Sequence, residues 1–328
     1  MFHTIRQLTE GGVLSMNRRN AEYIMRYNPR SAFPLVDNKV LTKSLADKHG
    51  IPTPRTHCVV EHQGEVGKLR DKLAALGRFV VKPARGAGGS GIVIVTDFVD
   101  GQFVKSSGQV LSWEELAFHF SDVLSGIFSL GGVPDAAIVE ALVEPDPVFG
   151  EVSYRGVPDV RIVVYRGMPV MSMVRLPTRA SDGKANLHRG AIGAGIDIGT
   201  GSTLKAVRRA KVITHHPDTQ KPVAGIVIPY WEKMLLIAAS ATEMTGLGYL
   251  GVDLVIERQQ GPVLLELNAR PGLAIQLANG AGLWGRMNQV DRAPEEIFTR
   301  PEFRVAWARQ AFAVGAVKIG ESALQSTC

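Results

Sequence analysis

One segment narrows the folds open to this chain more than any other. Phe79-Val80-Val81-Lys82-Pro83 reads as a short apolar strand with a lysine inside it, and it runs into Gly86-Ala87-Gly88-Gly89-Ser90-Gly91. A second apolar run, 92–96, follows directly. The pattern is strand, glycine-rich loop, strand. Lacking Cβ atoms, such a loop can turn tightly and bring several backbone N–H groups to one anion. The loop by itself fits a plain hairpin turn equally well. Lys82 shifts the balance, because an ammonium in an apolar strand is costly to bury unpaired and a phosphate would supply the partner. No Gly-Lys-Ser/Thr and no helix follow the loop, so it is not a Walker A loop. The strand after it also excludes the Rossmann dinucleotide fingerprint.

The rest of the pattern alternates helices with hairpins. Val40, Leu41, Leu45 and Ala46 keep helical spacing over 39–49, stopped at Gly50 and followed by Pro52 and Pro54. Strands are predicted over 55–60, 137–143, 161–165, 170–176, 250–257 and 263–267, and helices over 64–77, 113–129 and 231–245. Residues 160–176 read as a hairpin turned at Arg166-Gly167, and 250–267 as another turned at Gln259-Gln260-Gly261. Residues 1–36, broken by Asn28-Pro29 and Phe33-Pro34, read as one helix and a turn. Residues 200–230 read as an insertion turning at His216-Pro217-Asp218, and 301–328 as a helix and a polar tail. So many hairpins predict an α+β fold with antiparallel sheets rather than a doubly wound parallel one.

Composition excludes more than it selects. The chain has 328 residues, 45% hydrophobic and 21% charged, which is ordinary globular usage with room for roughly two domains. Cys58 and Cys328 form neither a metal-spaced cluster nor a disulfide framework. The first ten residues lack an apolar leader core, and no apolar run reaches the ~18 residues of a membrane span. A cytoplasmic protein without a membrane is expected. The net charge is +6, but the basic residues are scattered, the densest stretch being 205–211. That favours a small anionic ligand over nucleic acid.

A second constellation carries chemistry. Glu266 and Asn268 are two apart on a predicted strand and so share a face, and Asp253 on the preceding strand could join them across the hairpin. Two carboxylates and an amide are hard oxygen ligands suited to a Mg²⁺ that also holds phosphates. A solvated polar face is the alternative; leucines at 265 and 267 argue for a buried opposite face. A third segment is Asn186-Leu187-His188-Arg189-Gly190. Arg189 could hold a transferring phosphoryl group or an acylphosphate, or be a solvated loop arginine; His188 reads as merely polar. Asp159-Val160-Arg161 offers a carboxylate and a guanidinium near one place, or a surface salt bridge.

In this order the segments resemble the ATP-grasp superfamily, and most closely its RimK-type α-L-glutamate ligases, over about residues 37–285. The resemblance rests on Asp37-Asn38-Lys39, Val81-Lys82-Pro83 with the glycine loop, Val139 to Val143, Asp159-Val160-Arg161, Asn186 to Gly190, Gly251-Val252-Asp253, and Glu266 to Gly272. It implies two α+β lobes with antiparallel sheets clasping ATP. The implied division is a shortened N-terminal region 1–38, a small lobe with a Gly-rich flap 39–143, a large lobe with the metal site 144–300, and a C-terminal helix and tail 301–328. Lys39 and Lys82 would neutralise phosphates, with Gly88, Gly89, Ser90 and Gly91 closing over them. Glu140, Ala141, Leu142 and Val143 would hold adenine through backbone groups, and Asp159 and Lys184 would contact the nucleotide. Asp253, Glu266 and Asn268 would hold Mg²⁺, or Mn²⁺ in its place. Arg161, Arg189 and Asn186 would act on the transferring group.

The implied reaction is carboxylate–amine ligation. A substrate carboxylate attacks the γ-phosphate of ATP, giving an acylphosphate and ADP, and an amine then displaces phosphate. The partners implied are ATP, an amino acid such as glutamate, and a carboxylate acceptor on a peptide, protein or small molecule; a homo-oligomer is compatible. The sequence departs from the RimK type in three places. Only about 38 residues precede the lysine helix, the stretch 97–137 is long, and Lys184-Ala185 stands where Arg-Ser is usual. The 200–230 segment, with His215-His216-Pro217-Asp218-Thr219, instead resembles the glutamate-ligase-related and sugar-transfer-associated ATP-grasp branches. A sugar-linked acceptor, phosphoryl transfer without ligation, or a non-catalytic ATP-binding regulator are the alternatives.

Overall fold

The structure is a computed structural model describing residues 5–86, 88–129, 131–209 and 211–315. Ala87 of the glycine loop, and the predicted tail with Cys328, lie outside the described residues. The chain forms two compact units, Pro34–Glu144 and Met1–Phe33 with Pro145–Cys328. The fold is α+β, with one antiparallel sheet in each unit.

The smaller unit is built on β1 (Thr56–Val60), β2 (Phe79–Pro83), β3 (Val93–Val99), β4 (Gln102–Lys105), β5 (Val110–Leu111) and β6 (Ala137–Glu140), in the order β1-β6-β2-β3-β4-β5. Phe79 and Val81 of β2 alternate into a core that includes Phe103, Leu116, Phe120 and Val123. The last three lie on the helix Trp113–Leu124, four and then three residues apart, and so share one face. That helix starts in a capping box. Ser112 accepts from the N–H of Glu115, and Glu115 accepts from the N–H of Ser112. Because strand side chains alternate, Lys82 points to the face opposite Phe79 and Val81. Lys82 pairs with Ile138 and Val80 with Glu140 in the β2–β6 ladder, so Lys82 and Glu140 share that second face.

The larger unit contains β7 (Asp159–Tyr165), β8 (Met168–Leu176), β9 (Ile192–Ile196), β10 (Thr203–Arg208), β11 (Lys211–Ile213), β12 (Tyr249–Glu257) and β13 (Gly261–Asn268), in the order β11-β10-β9-β8-β7-β12-β13. Arg166 and Gly167 both have positive φ, 50° and 75°, as a tight two-residue hairpin loop requires. The helices Trp231–Thr245 and Pro301–Ala311 pack together on this unit.

Five expectations need correction. Residues 64–77 hold two short helices, Gln63–Val66 and Arg70–Leu76. The helix expected to reach 129 ends at Leu124, and the strand expected to reach 143 ends at Glu140. Residues 200–230 are no detached insertion, since β10 and β11 extend the large sheet at its edge. The first 36 residues are more helical than one helix and a turn: besides Ile5–Glu10, residues 16–27 form one helical stretch whose middle, Arg19–Ile24, is π-helical. Strand β9 was not foreseen, because the glycines in Ile192-Gly193-Ala194-Gly195-Ile196 hide its pattern. Among the described residues no helix is long and apolar enough to cross a membrane.

Phe120 is fully buried in the small-unit core. Phe120→Ala should cost ~3–5 kcal/mol, read as a fall in the urea midpoint; an unchanged midpoint would contradict this packing.

Candidate functional site

Each unit gathers a set of buried charges on the side of its sheet marked out by the sequence. In the smaller unit the carboxylate of Glu140 takes two ammonium groups, Lys82 at 2.6 Å and Lys43 at 2.7 Å. Lys43 also donates to the carbonyl of Pro54. Burial pulls the Lys43 ammonium below its ordinary pKa, against the opposing pull of Glu140. Lys39, one helical turn before Lys43, donates through Nζ to the carbonyl of Gly86 at 2.6 Å, at the entrance to the glycine loop. Its backbone N–H donates to Ala84 O at 2.9 Å.

The loop itself has two characters. Gly88, Gly89 and Gly91 all sit at positive φ, where glycine is the default residue. A Cβ on Gly89 would meet nothing within 4 Å, and Ser90 is exposed. A Cβ on Gly91 would lie 2.5 Å from the Phe128 ring, and the carbonyl of Gly91 is 3.0 Å from His119 Nε2. The loop is therefore pinned at its second end and open at its tip. Ala141 leaves the strand but stays tied, its N–H donating to Arg55 O at 2.8 Å, and Leu142 and Val143 follow outside regular structure.

In the larger unit the ladder sets Asp253 opposite Arg161 on one side and Glu266 on the other, and Asp159 opposite Arg175. Asp253 is buried and receives a two-pronged contact from Arg161, Nε to Oδ1 at 2.7 Å and Nη2 to Oδ2 at 2.5 Å. Arg175 grips Asp159 with two nitrogens and reaches Asp253 Oδ2 at 2.8 Å. Asn268 donates to Asp253 at 3.2 Å and to Glu266 at 3.4 Å. Burial opposes charge on Asp253, yet the guanidiniums of Arg161 and Arg175 override it and hold the carboxyl well below the usual range. Asp159 goes the other way. Burial, aided by the charge of Asp253, pushes its carboxyl up to about 7 against the pull of Arg175.

The sequence brought together Asp253, Glu266 and Asn268, and the structure places them side by side. It pairs Arg161 with Asp253 rather than with its near neighbour Asp159. The strand face is not purely chelating, as the leucine pattern suggested, because two arginines share it. Arg175 and Lys43 were missed. Arg175 carried the same signal as Lys82, a lone charge in the apolar run Met168 to Leu176. Lys43 lies four residues after Lys39 and so on its helix face.

Among the described residues no group of three or more His, Cys, Asp or Glu side chains is gathered for a metal. The candidate set is two carboxylates and an amide, and its chemistry suits Mg²⁺. Asp253 Oδ1 accepts one hydrogen bond and has a second lone pair to offer. Half a turn of the Asn268 amide would aim its oxygen where its nitrogen now points. With Asp159 ionised, Arg161, Arg175, Asp159, Asp253 and Glu266 together carry one more negative than positive charge, which a cation would offset.

The segment 177–190 carries the remaining candidates. Asn186 caps the short turn Leu187–Arg189 by accepting from His188 N–H at 2.9 Å, while His188 and Arg189 are exposed and Lys184 is half-buried. The turn at His216 holds this segment. His216 is fully buried, its Nδ1 accepts from the N–H groups of Asp218 and Thr219, and its Nε2 lies 3.0 Å from the carbonyl of Pro177. The ring is thereby fixed as the Nε2–H tautomer.

A family model described as sugar-transfer associated ATP-grasp matches residues 18–292. The chain belongs to the sugar-transfer associated ATP-grasp family. This is one of the two branches that the 200–230 segment resembled, within the superfamily that the other motifs indicated. A probable alpha-L-glutamate ligase of Parasynechococcus marenigrum (strain WH8102) is 31% identical over 132 residues, 40% of this chain and 21% of that protein. The ATP-grasp ligase PsnB, complexed with minimal precursor, is 14% identical with a TM-score of 0.43, over 80% of this chain and 61% of that one. D-alanine–D-alanine ligase from Bacillus anthracis, complexed with ATP, is 15% identical with a TM-score of 0.44, over 79% and 66%. The chain thus spans about a fifth of the glutamate ligase and three-fifths of PsnB.

Arg175 is the only guanidinium that touches both Asp159 and Asp253 among the described residues. Arg175→Ala would leave the buried Asp159 carboxylate without its guanidinium partner and should cost ~3–5 kcal/mol. A loss below ~1 kcal/mol in urea unfolding would show that the ion set is not structurally coupled.

Proposed function

We propose that the chain is an ATP-dependent carboxylate–amine ligase that joins an amino acid, glutamate or one like it, to a carboxylate acceptor through an acylphosphate. The observation that carries this reading is a pair of buried charge sets of opposite residual sign. Lys43, Lys82 and Glu140 sum to one positive charge, beside a glycine loop with an open tip. The Asp159, Arg161, Arg175, Asp253 and Glu266 set carries one residual negative charge when Asp159 is ionised. The first suits a phosphate and the second a divalent cation, the two kinds of charge that ATP with Mg²⁺ carries.

In this reading Lys82 and Lys39 neutralise phosphate charge, and Lys43 keeps Glu140 from competing fully for Lys82. The backbone N–H groups of Gly88 to Gly91 cover the phosphates, and residues 140–143 hold the base. Asp159 and Lys184 contribute to nucleotide contact. Asp253, Glu266 and Asn268 would hold Mg²⁺, which supplies charge neutralisation at the phosphates when bound. Arg161 and Arg175 fix Asp253 in place, and Arg161 and Arg189 stabilise charge on the transferring group, a role of positioning and electrostatics. Asn186 keeps the Arg189 turn in shape through its cap. The substrate carboxylate attacks the γ-phosphorus, the bond to the ADP oxygen breaks, and an amine then displaces phosphate from the acyl carbon.

A second reading keeps the ATP chemistry and places the acceptor carboxylate on a sugar-linked molecule; membership of the sugar-transfer associated family supports it.

The test is ADP and phosphate release from ATP and Mg²⁺, measured with amino acids, acidic peptides and sugar acids added in turn. Release that requires both an amine and a carboxylate is the expected outcome. A phosphorylated product without ligation would overturn the ligase reading. Asp253→Asn should abolish release while circular dichroism stays native; normal turnover would remove Asp253 from the site. Lys82→Ala should weaken ATP binding by roughly tenfold to a hundredfold, and unchanged affinity in calorimetry would refute its phosphate role.

A further inference from the structure

The stretch 97–137, long for the RimK type, ends in a segment that none of the roles above uses. Residues 125–129 and 131–136 lie between the helix Trp113–Leu124 and β6, and they fold back on themselves. Gly126 has a positive φ of 87°, and a Cβ there would lie 2.2 Å from the Val133 carbonyl oxygen. Ser129 Oγ is 2.5 Å from that same oxygen and 3.0 Å from the carbonyl of Gly126. Asp135 N–H donates to Leu124 O at 3.2 Å, which closes the segment at its base.

The doubled-back segment meets both ends of the glycine loop. At the first end Gly86 forms an isolated antiparallel bridge with Ser129. Beside it, Asp135 Oδ2 accepts from Arg85 N–H at 2.9 Å, and Arg85 Nη1 donates to Pro134 O at 2.9 Å. At the second end the Phe128 ring fills the space that a Cβ on Gly91 would need. His119, whose ring centre is 5.6 Å from that of Phe128, donates through Nε2–H to Gly91 O at 3.0 Å. Phe128 and Ser129 are consecutive, so their Cα atoms stand about 3.8 Å apart. A single peptide unit thus relates the two ends of the loop. A glycine-rich chain without such support would lose much conformational freedom on gathering its N–H groups around an anion. Holding both ends in advance moves that loss into folding, so that it no longer weakens binding.

We propose that residues 125–135 clamp the mouth of the glycine loop, and that Phe128 and His119 are positioning residues for the phosphates that the loop covers. The inference rests on the nucleotide reading given above. Both side chains act through Gly91 and not on the ligand, so their removal should be felt by phosphates alone. In Phe128→Ala the affinity for ATP with Mg²⁺, measured by calorimetry, should fall about tenfold while that for adenosine stays native. His119→Ala should show the same split to a smaller degree. His119→Gln, which keeps an N–H donor near the Nε2 position, should restore the native affinity. Without nucleotide, trypsin should cut after Arg85 faster in Phe128→Ala than in the native chain, with circular dichroism unchanged. An equal loss for ATP and adenosine would mark Phe128 as a core residue only and overturn the proposal. So would an unchanged ATP affinity or an unchanged rate of cleavage. Failure of the native chain itself to bind ATP would overturn the nucleotide reading instead, and the cleavage rates would still decide whether the clamp exists.

Discussion

Buried charge must be matched, and in this protein the matching is done across sheet ladders. Asp159 and Asp253 stand on adjacent strands with Arg161 and Arg175 opposite them, so the four side chains meet without any loop having to bring them together. The cost of removing such groups from water is several kcal/mol each. That cost makes the register of β7, β8 and β12 a requirement for the site: a slip of one residue would turn every one of these side chains into the opposite face. Arg175 is central because it alone among the described residues serves both carboxylates.

The same constraint shapes the smaller unit with the signs reversed. Glu140 lies between Lys43 and Lys82, one ammonium from a helix and one from a strand, and cannot neutralise both. The residual charges of the two sets are opposite in sign, positive here and, with Asp159 ionised, negative in the larger unit. The glycine loop adds an adjustable element, anchored at Gly91 by Phe128 and His119 and open at Gly89.

Much of this was legible in the sequence because strands report their faces by alternation. Lys82 in an apolar strand, and Glu266 and Asn268 two apart, announced themselves, and frequent hairpins gave the antiparallel α+β class. Arg175 was equally visible, but its partner Asp159 is sixteen residues away, and pairing depends on hairpin register rather than on any local pattern. The paired role of Glu140 was hidden for the same reason, since the sequence suggested only a backbone function. Strand β9 escaped because glycine carries no hydropathy pattern. The helical stretch 16–27 was only partly foreseen because its π-helical middle breaks the 3.6-residue spacing, and Pro29 and Pro34 after it suggested one helix and a turn. The turn at His216 was visible as a motif, but its task of holding the 177–190 segment depends on long-range contacts.

The most direct measurement is ATP affinity by calorimetry, with and without Mg²⁺, in the native chain and in Glu266→Gln. Glu266 is a third exposed and lies 4.0 Å from Arg161, so its exchange should leave the Arg161–Asp253 and Arg175–Asp159 pairs in place. The expected result is that Mg²⁺ tightens ATP binding to the native chain but not to Glu266→Gln, while binding without Mg²⁺ is equal in the two. The same Mg²⁺ dependence in both proteins would contradict a cation site at Asp253, Glu266 and Asn268.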